Sequence, residues 1–187
     1  MSSAMNESIY ELQEHLESLL TATSDKSEAA NWLDALKMVV AHIAGAFTVT
    51  DSEVAILFKT KDGNGLKFAS PPALAKGANI IPLKVWSLAG NVVKAGTGSL
   101  DNNFTERKHL SIYEHIKIGG LKTGPIHKII ATAIKIEGEV FGVVEVSRKG
   151  KTPDEAGPDF TTADLALLSD IMFRTSPYLI KLQPKSP

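Results

Sequence analysis

The chain has 187 residues, of which 43% are hydrophobic and 22% are charged, and its formal net charge is -1. This length suits one domain with a core of its own, and the near-neutral charge argues against a globally basic nucleic-acid binder. The sequence contains no cysteine, which excludes thiol catalysis, disulfides, zinc–thiolate sites and thioether-linked cofactors.

The first residues lack the basic start and apolar run of a signal peptide, and no apolar run approaches the ~20 residues of a membrane helix. We therefore expect a cytoplasmic protein with no membrane partner and no nucleic-acid partner. The charge is uneven, because residues 1–60 hold nine acidic and three basic side chains, whereas residues 105–151 hold nine basic and five acidic ones. The basic region is either a solvated face or a binding site for a small anionic ligand.

A narrow apolar stripe predicts the first helix. Its members recur at spacings of three and four residues, which places them on one side of a helix: Ile9, Leu12, Leu16, Leu19 and Leu20. The other sides are polar, so the stripe needs a cover, either the body of the domain or a second copy of the chain. We divide the chain into a helical extension over 1–24, a domain over 25–183 and a tail over 184–187.

A second helix follows, and the pattern then changes to the two-residue period of strands. Asp25 with Glu28 offers a capping box at the helix start. Asp62-Gly63-Asn64-Gly65 is a tight-turn signal between two strands, and Pro71-Pro72 ends the second of them. In chain order we predict a helix from about 25 to 47, strands over 53–59 and 66–70, a short extended piece over 79–83 and a short helix over 87–94.

Residues 99–125 show no clear period. The stretch from Glu106 to Lys117 is compatible with a helix, and the glycines that follow it favour an irregular end. A long irregular segment inside a compact domain is more often a functional loop than a structural requirement. We therefore expect a ligand, if the chain binds one, to lie against this segment.

The clearest hairpin comes next, with strands over 128–136 and 140–147. The second strand is apolar at nearly every position, which predicts a central strand covered on both faces. Thr161 and Asp164 predict the capped start of a last helix, which Pro177 should kink or end. These elements predict an α+β fold: a central antiparallel sheet with N- and C-terminal helices on one face and a short helix and irregular insertion on the other.

Three strings of the sequence, in the same order and at similar distances, resemble the GAF domain family. They are VWSLAGNVVKAGTG over 85–98, FGVVEVSRKG over 141–150 and FTTADLALLS over 160–169. The resemblance covers roughly residues 28–175. It implies a sheet of about six strands, terminal helices that pair in a homodimer, and a pocket between the sheet and the insertion. It also implies a stand-alone module for small-molecule sensing or signal relay, which acts through dimerisation and a signalling partner protein.

Where the sequence departs from the family's patterns, several of the family's activities are not expected for this chain. Members that attach bilins or reduce free methionine sulfoxide use cysteines, so neither a covalent bilin nor that activity is expected. The cyclic-nucleotide pattern needs an acidic pair where this chain has Glu145-Val146, so nothing supports a cyclic nucleotide and the cofactor is unknown. The alternatives to a sensor are a ligandless structural adaptor and, third, an unrecognised enzyme, although we expect no catalytic residues and no catalysis.

Glu145 is the first candidate ligand-binding residue. A carboxylate in a strand covered on both faces costs free energy unless it is paired or protonated. One interpretation places it at a sheet margin or beside a lysine such as Lys135. The other places it in the pocket, where it contacts a ligand amine or hydroxyl.

The remaining candidates lie in or near the irregular segment. His109 and Tyr113 share a face if the segment is helical. With His115, His109 offers two nitrogen ligands but no third ligand at suitable spacing, so we predict no metal site, and an axial haem histidine has little support. Trp86 is either core or a pocket wall. Phe104 and Asn103 open the segment, and Asn103 is also a natural turn or cap residue.

Overall fold

The computed structural model describes residues 3–21, 27–76, 80–106 and 124–184, and within them it shows one six-stranded antiparallel sheet. The strands run in chain order as β1 (Val54–Lys59), β2 (Gly65–Ser70), β3 (Ile80–Pro82), β4 (Ser99–Asp101), β5 (Ile126–Ile136) and β6 (Glu139–Lys149). Their order across the sheet is β3-β2-β1-β6-β5-β4. The two predicted hairpins, β1–β2 and β5–β6, therefore lie side by side, and β6 is central.

Five α-helices and two short 3₁₀ turns complete the described fold. The helices are α1 (Ser3–Thr21), α2 (Glu28–Phe47), α3 (Pro72–Ala75), α4 (Leu88–Ala95) and α5 (Thr162–Leu182). The 3₁₀ turns cover Asp51–Glu53 and Phe104–Glu106. No helix in the described part of the chain is both long enough and apolar enough to cross a bilayer.

The helices form two layers, one on each face of the sheet. Buried side chains of α1, α2 and α5 pack with one set of strand residues, and we call this side the helical face. Residues of α3 and α4 pack with the opposite set, and we call this side the insertion face. The predicted α+β arrangement is thus confirmed.

The strand β6 shows why the sheet needs both layers. Val144 and Val146 belong to the core on the helical face, whereas Val143 belongs to the core on the insertion face. Successive strand residues point to opposite faces, so a strand with apolar residues at neighbouring positions is stable only when both faces are covered. The sequence of β6 is apolar at nearly every position because both of its faces are buried.

The apolar stripe of α1 is covered by the same chain. Three of its side chains, which we call the leucine stripe, are between 0% and 5% exposed and belong to the core on the helical face: Ile9, Leu12 and Leu16. Of the two covers predicted for this stripe, the body of the domain is the one observed. These three side chains therefore do not form a surface for a second copy.

Two predictions about helix ends are corrected. The helix α2 is capped by Ser27, whose Oγ accepts a hydrogen bond from the Ala30 N–H at 3.3 Å, whereas Asp25 lies outside the described residues. The prediction that Pro177 kinks or ends the last helix is wrong in placing an end there, because α5 continues to Leu182.

Burial explains why α5 continues through Pro177. An interior proline costs about 3 kcal/mol. Beyond it, Leu179 and Leu182 are 0% and 8% exposed, and burying each leucine stabilises the helix by roughly 1.5–3 kcal/mol. The carbonyl that loses its N–H donor belongs to Phe173, whose residue is 75% exposed, so water can satisfy it.

Candidate functional site

The carboxylate of Glu145 lies on the insertion face of the central strand. The residue is 5% exposed, and its neighbours across the sheet are Ala55 on β1 and Ala131 on β5. Both alanines belong to the core that α4 covers. The small neighbours leave the longer side chain of Glu145 projecting toward the α4 layer, on the face where the resemblance implies a pocket.

Two positions considered for Glu145, the margin of the sheet and a place beside Lys135, are not observed. The strand β6 is central, so Glu145 is not at the margin of the sheet. Lys135 pairs with Val140 near the turn, and its Nζ donates to the Gly96 carbonyl at 3.3 Å. Lys135 is four residues from Ala131, or ~13 Å along β5. Glu145 has a further interaction within the chain, and a buried carboxylate costs free energy unless it is paired.

Glu145 begins a polar row that sequence reasoning missed. Ser147 and Lys149 follow it at two-residue spacing, each 5% exposed, while Val146 and Arg148 point to the helical face. Ser147 Oγ donates to the Glu53 carbonyl at 3.1 Å, and Lys149 Nζ donates to the Ser52 carbonyl at 3.4 Å. The signal in the sequence was that the polar residues Glu145, Ser147 and Lys149 share the two-residue spacing of one strand face.

Glu53 joins this row to the end of α2. Its Oε1 accepts from the Lys149 N–H at 2.9 Å, and its Oε2 accepts from the Thr50 N–H and hydroxyl, each at 3.0 Å. On the helical face, Arg148 Nη2 donates to the carbonyl of Phe47, the last residue of α2, at 3.2 Å. Hydrogen bonding at this end of β6 is therefore structural, and the Glu145 end is the part of the row nearest the α4 layer.

Phe104 lies on the same face as Glu145. It is 5% exposed and packs with Ile126, Ile129 and Leu88. Ile129 stands opposite Ser147, and Ala131 stands opposite Glu145. Ile129 and Glu145 are therefore diagonal neighbours, which lie ~7–8 Å apart in a sheet. The structure thus places Phe104 and Glu145 on the same face of the sheet, with Ile129 as the neighbour of both.

The other predicted residues are placed differently. Trp86 is 44% exposed, just before the α4 cap residue Ser87, so the core role is wrong for it. Asn103 is exposed and its N–H donates to Asp101 Oδ1 at 2.9 Å, which fits the predicted turn role. His109 and Tyr113 lie outside the described residues.

Asn102 makes contacts that the sequence did not reveal. Its Nδ2 donates to the Phe160 carbonyl at 2.9 Å, and its Oδ1 accepts from the Phe160 N–H at 2.9 Å. The pair ties the end of β4 to the residue before the α5 cap. It fixes the start of the 3₁₀ turn that carries Phe104.

His127 holds a buried nitrogen with no partner. The residue is 7% exposed, and its Nε2 lies 3.2 Å from the Gly150 carbonyl. A carbonyl only accepts, so Nε2 carries the proton and Nδ1 is the acceptor, and Nδ1 has no hydrogen bond. Among the described residues, no group of three or more metal-ligating side chains is present.

Two cavities lie elsewhere on the described surface. One of about 800 Å³ lies at the end of the β1–β2 hairpin, between Lys61 and Lys84; we call it the hairpin-end cavity. Another of about 300 Å³ lies between α2 and Pro71-Pro72. None of the predicted binding residues that the structure describes lines either cavity.

The fold is similar to that of solved GAF domains. The GAF domain of an Acinetobacter phosphoenolpyruvate-protein phosphotransferase has a TM-score of 0.64 and 15% identity, covering 96% of this chain and 95% of that chain. The GAF domain of a Coxiella burnetii phosphoenolpyruvate-protein phosphotransferase has a TM-score of 0.63 and 14% identity, covering 96% and 95%. The free methionine-R-sulfoxide reductase from Neisseria meningitidis, solved with its substrate, has a TM-score of 0.60 and 13% identity, covering 98% and 94%. No family model and no curated protein matches the sequence.

Proposed function

We propose that this chain, which has the GAF fold, is a small-molecule sensing and signal-relay module that acts as a homodimer and through a partner protein. The observation that carries the proposal is the buried carboxylate of Glu145 on the insertion face of the central strand. A fold does not fix a function, so the argument rests on the residues around this group.

The surroundings of Glu145 favour a ligand with hydrogen-bond donors. Glu145 is flanked by alanines on both neighbouring strands, and Phe104 packs on the same face of the sheet. Small-molecule sites are mostly apolar, with a few polar groups that fix orientation. A buried carboxylate accepts hydrogen bonds and gains most from a charged or polar donor. An amine or hydroxyl of the ligand would add a donor to the interaction that Glu145 already makes within the chain, and a flat apolar part would pack against Phe104.

We propose binding and not catalysis. The chain has no cysteine, so it lacks the thiol chemistry expected of a reductase with this fold. The polar groups next to Glu145 along β6 are engaged in structural hydrogen bonds to Ser52 and Glu53. A group held in this way positions the strand and does not supply a reactive side chain.

The homodimer is proposed through the outer surface of α1 and α5. The leucine stripe is internal, but Tyr10 on α1 and Phe173 on α5 are 58% and 75% exposed. The Arg174 guanidinium, next to Phe173 in sequence, lies 5.7 Å from the Tyr10 ring, which supports a shared surface of the two helices. Exposed aromatic groups are enriched at protein interfaces, and movement at this surface would relay ligand binding to a partner.

The test is native mass spectrometry of the wild type and two variants purified gently from the expression host. A wild-type dimer that carries a reproducible extra mass supports the proposal and gives the size of the ligand. Glu145→Gln keeps the shape but removes the charge, so we expect it to retain less of this mass. Glu139→Gln, on the exposed first residue of β6, is the matched control and should retain all of it.

Two outcomes contradict the proposal. Equal retention of the mass by wild type and Glu145→Gln would remove Glu145 from the site. A protein that carries no mass and stays monomeric at high concentration would remove both ligand and dimer. The alternative would then be a ligandless adaptor, a reading that the exposed apolar residues near β3 favour.

A further inference from the structure

The end of the β1–β2 hairpin carries a concentrated positive charge. Between residues 54 and 100 the sequence has six lysines, one acidic residue and no arginine, in a chain whose net charge is -1. Five of these lysines lie in or next to β1, β2, β3 and the turns that join them, and all are exposed: Lys59, Lys61, Lys67, Lys76 and Lys84. Lys76 follows α3 beyond the other end of β2, so the positive charge near the hairpin end comes from the remaining four lysines.

Hydrogen bonds bring two of the turns together. The Leu83 N–H donates to the Asn64 carbonyl at 2.9 Å, and β3 pairs with β2 so that Ile80 stands opposite Lys67. The turn that carries Lys84 therefore lies beside the turn that carries Lys61. The hairpin-end cavity, of about 800 Å³, lies between them.

The floor and rim of this cavity include apolar groups. Ile80, Pro82 and Leu83 line it. Ile80 is 50% exposed, and Val85, next to Lys84, is 40% exposed. Of the six exposed large hydrophobic residues found among the described residues, three fall within 80–86. A contiguous exposed apolar surface with a charged rim marks an interaction site.

Asp62, the single acidic residue between positions 54 and 100, forms its hydrogen bonds within its own turn. The Asp62 carboxylate accepts from the Thr60 hydroxyl, and from the backbone N–H and side-chain amide of Asn64, both at 3.1 Å. The Thr60 hydrogen bond, followed by those from Asn64, lowers the pKa of Asp62. Asp62 thus shapes the turn and leaves the neighbouring lysines to face outward.

We propose that this surface, formed by Lys61, Lys67, Ile80, Lys84 and Val85, docks an acidic peptide segment of a partner protein, with an aliphatic side chain of that segment in the hairpin-end cavity. The lysines pair with its carboxylates, and Ile80 and Leu83 contact its apolar anchor. This surface is separate from the Glu145 site, so the inference does not depend on ligand sensing.

The geometry favours a peptide over the other occupants. A flat anionic bilayer cannot fill a concave cavity of this size. Lysines carry compact charges on flexible stems, and those of this surface are spread over two turns and a strand, which suits an extended chain with several carboxylates. Strand addition to the edge strand β3 is disfavoured, since Pro82 has no N–H to donate. A second copy also offers acidic groups, because the exposed side of α1 carries glutamates and no lysine or arginine, so self-association is measured as well.

The experiment uses the full chain and a short synthetic peptide of glutamates around a central leucine. Binding is followed by fluorescence anisotropy at two salt concentrations and by NMR shifts of the backbone amides. We expect binding that weakens with salt, with shifts centred on Ile80 and Lys84. A peptide of lysines around the same leucine should not bind, and a peptide without the leucine should bind more weakly.

Charge reversal supplies the matched comparison. Each exposed lysine–carboxylate pair changes affinity roughly two- to fivefold, so Lys61→Glu, Lys67→Glu and Lys84→Glu together should weaken binding at least tenfold. The control reverses three exposed lysines elsewhere, Lys94, Lys151 and Lys181, for the same change in net charge, and should bind as wild type does. All six positions are exposed, so folding is retained and is checked by circular dichroism.

Several results would overturn the proposal. Equal loss in both triple variants would mean that only net charge matters. Binding to phosphatidylglycerol vesicles through the same residues, without peptide binding, would identify a lipid surface. Concentration-dependent self-association that the first triple variant abolishes would identify a second copy as the occupant. Absence of binding to the peptide at low salt would remove the docking surface altogether.

Discussion

Replacing Leu16 with alanine tests whether the α1 stripe belongs to the chain's own core. Leu16 is 0% exposed and lies in the core with residues of α2 and α5. A buried Leu→Ala change removes the burial of the side chain and leaves a cavity, which together cost 2–5 kcal/mol. Leu16 has no exposed part, so we expect about 3 kcal/mol. For a chain of this length that corresponds to a fall in Tm of roughly 6–12 °C.

The assay is urea unfolding, together with thermal unfolding, at two protein concentrations that differ widely. Because the stripe is covered within one chain, the loss of stability should be the same at both concentrations, whereas an intermolecular cover would make it depend on concentration. Leu33→Ala is the matched control. Leu33 is on α2 and 49% exposed, so it should cost about 1 kcal/mol or less.

One result would refute this reasoning. If Leu16→Ala leaves the unfolding free energy of the monomer unchanged but abolishes a dimer, the stripe is an interface between copies. The body of the domain would then not be its cover, and α1 would pack differently from the arrangement described.

Two further predictions concern single side chains. Burial lowers the pKa of His42 below its ordinary value of about 6.5, so the unfolded chain binds a proton that the folded chain does not, and stability should fall as the pH is lowered through 6.5 and below. His42→Gln should flatten this dependence in unfolding measured across pH, with the exposed His15→Gln as control; an unchanged slope would remove His42 as the cause. Asn102→Ala should cost about 2 kcal/mol, because both hydrogen bonds to Phe160 are lost. Asn103→Ala, whose side chain is exposed, should cost less than about 0.5 kcal/mol, and equal costs would contradict the assignment.

Most of the fold could be predicted from local pattern. The apolar run of β6, the turn at Asp62-Gly63-Asn64-Gly65 and the capping box of Thr161 with Asp164 each report a short-range physical constraint, and each element was found close to its predicted position. Strand β4 was missed, because three residues are too few to show a period. The prediction that α5 ends at Pro177 failed because the burial of Leu179 and Leu182 outweighs the local cost of an interior proline.

The candidate site was predictable only in part. Glu145 was found because a charge interrupts an apolar strand. Its polar neighbours were missed because their partners lie far away in sequence, as when Ser147 Oγ donates to Glu53, 94 residues earlier. The exposure of Trp86 was also missed, since an aromatic residue before an apolar helix has the composition of a core. Contacts between distant segments are set by packing and leave no local signal.

The hydrogen bonds at the far end of β6 have a mechanical consequence. Glu53 joins Lys149 to Thr50 on one side of the sheet, and Arg148 holds the Phe47 carbonyl on the other. The last residues of the strand are therefore hydrogen-bonded on one face to the loop after α2, through Glu53 and Thr50, and on the other face to Phe47, the last residue of α2. A displacement of β6 along its axis cannot be absorbed locally at this junction. It either breaks several hydrogen bonds at once or carries the end of the helix with it.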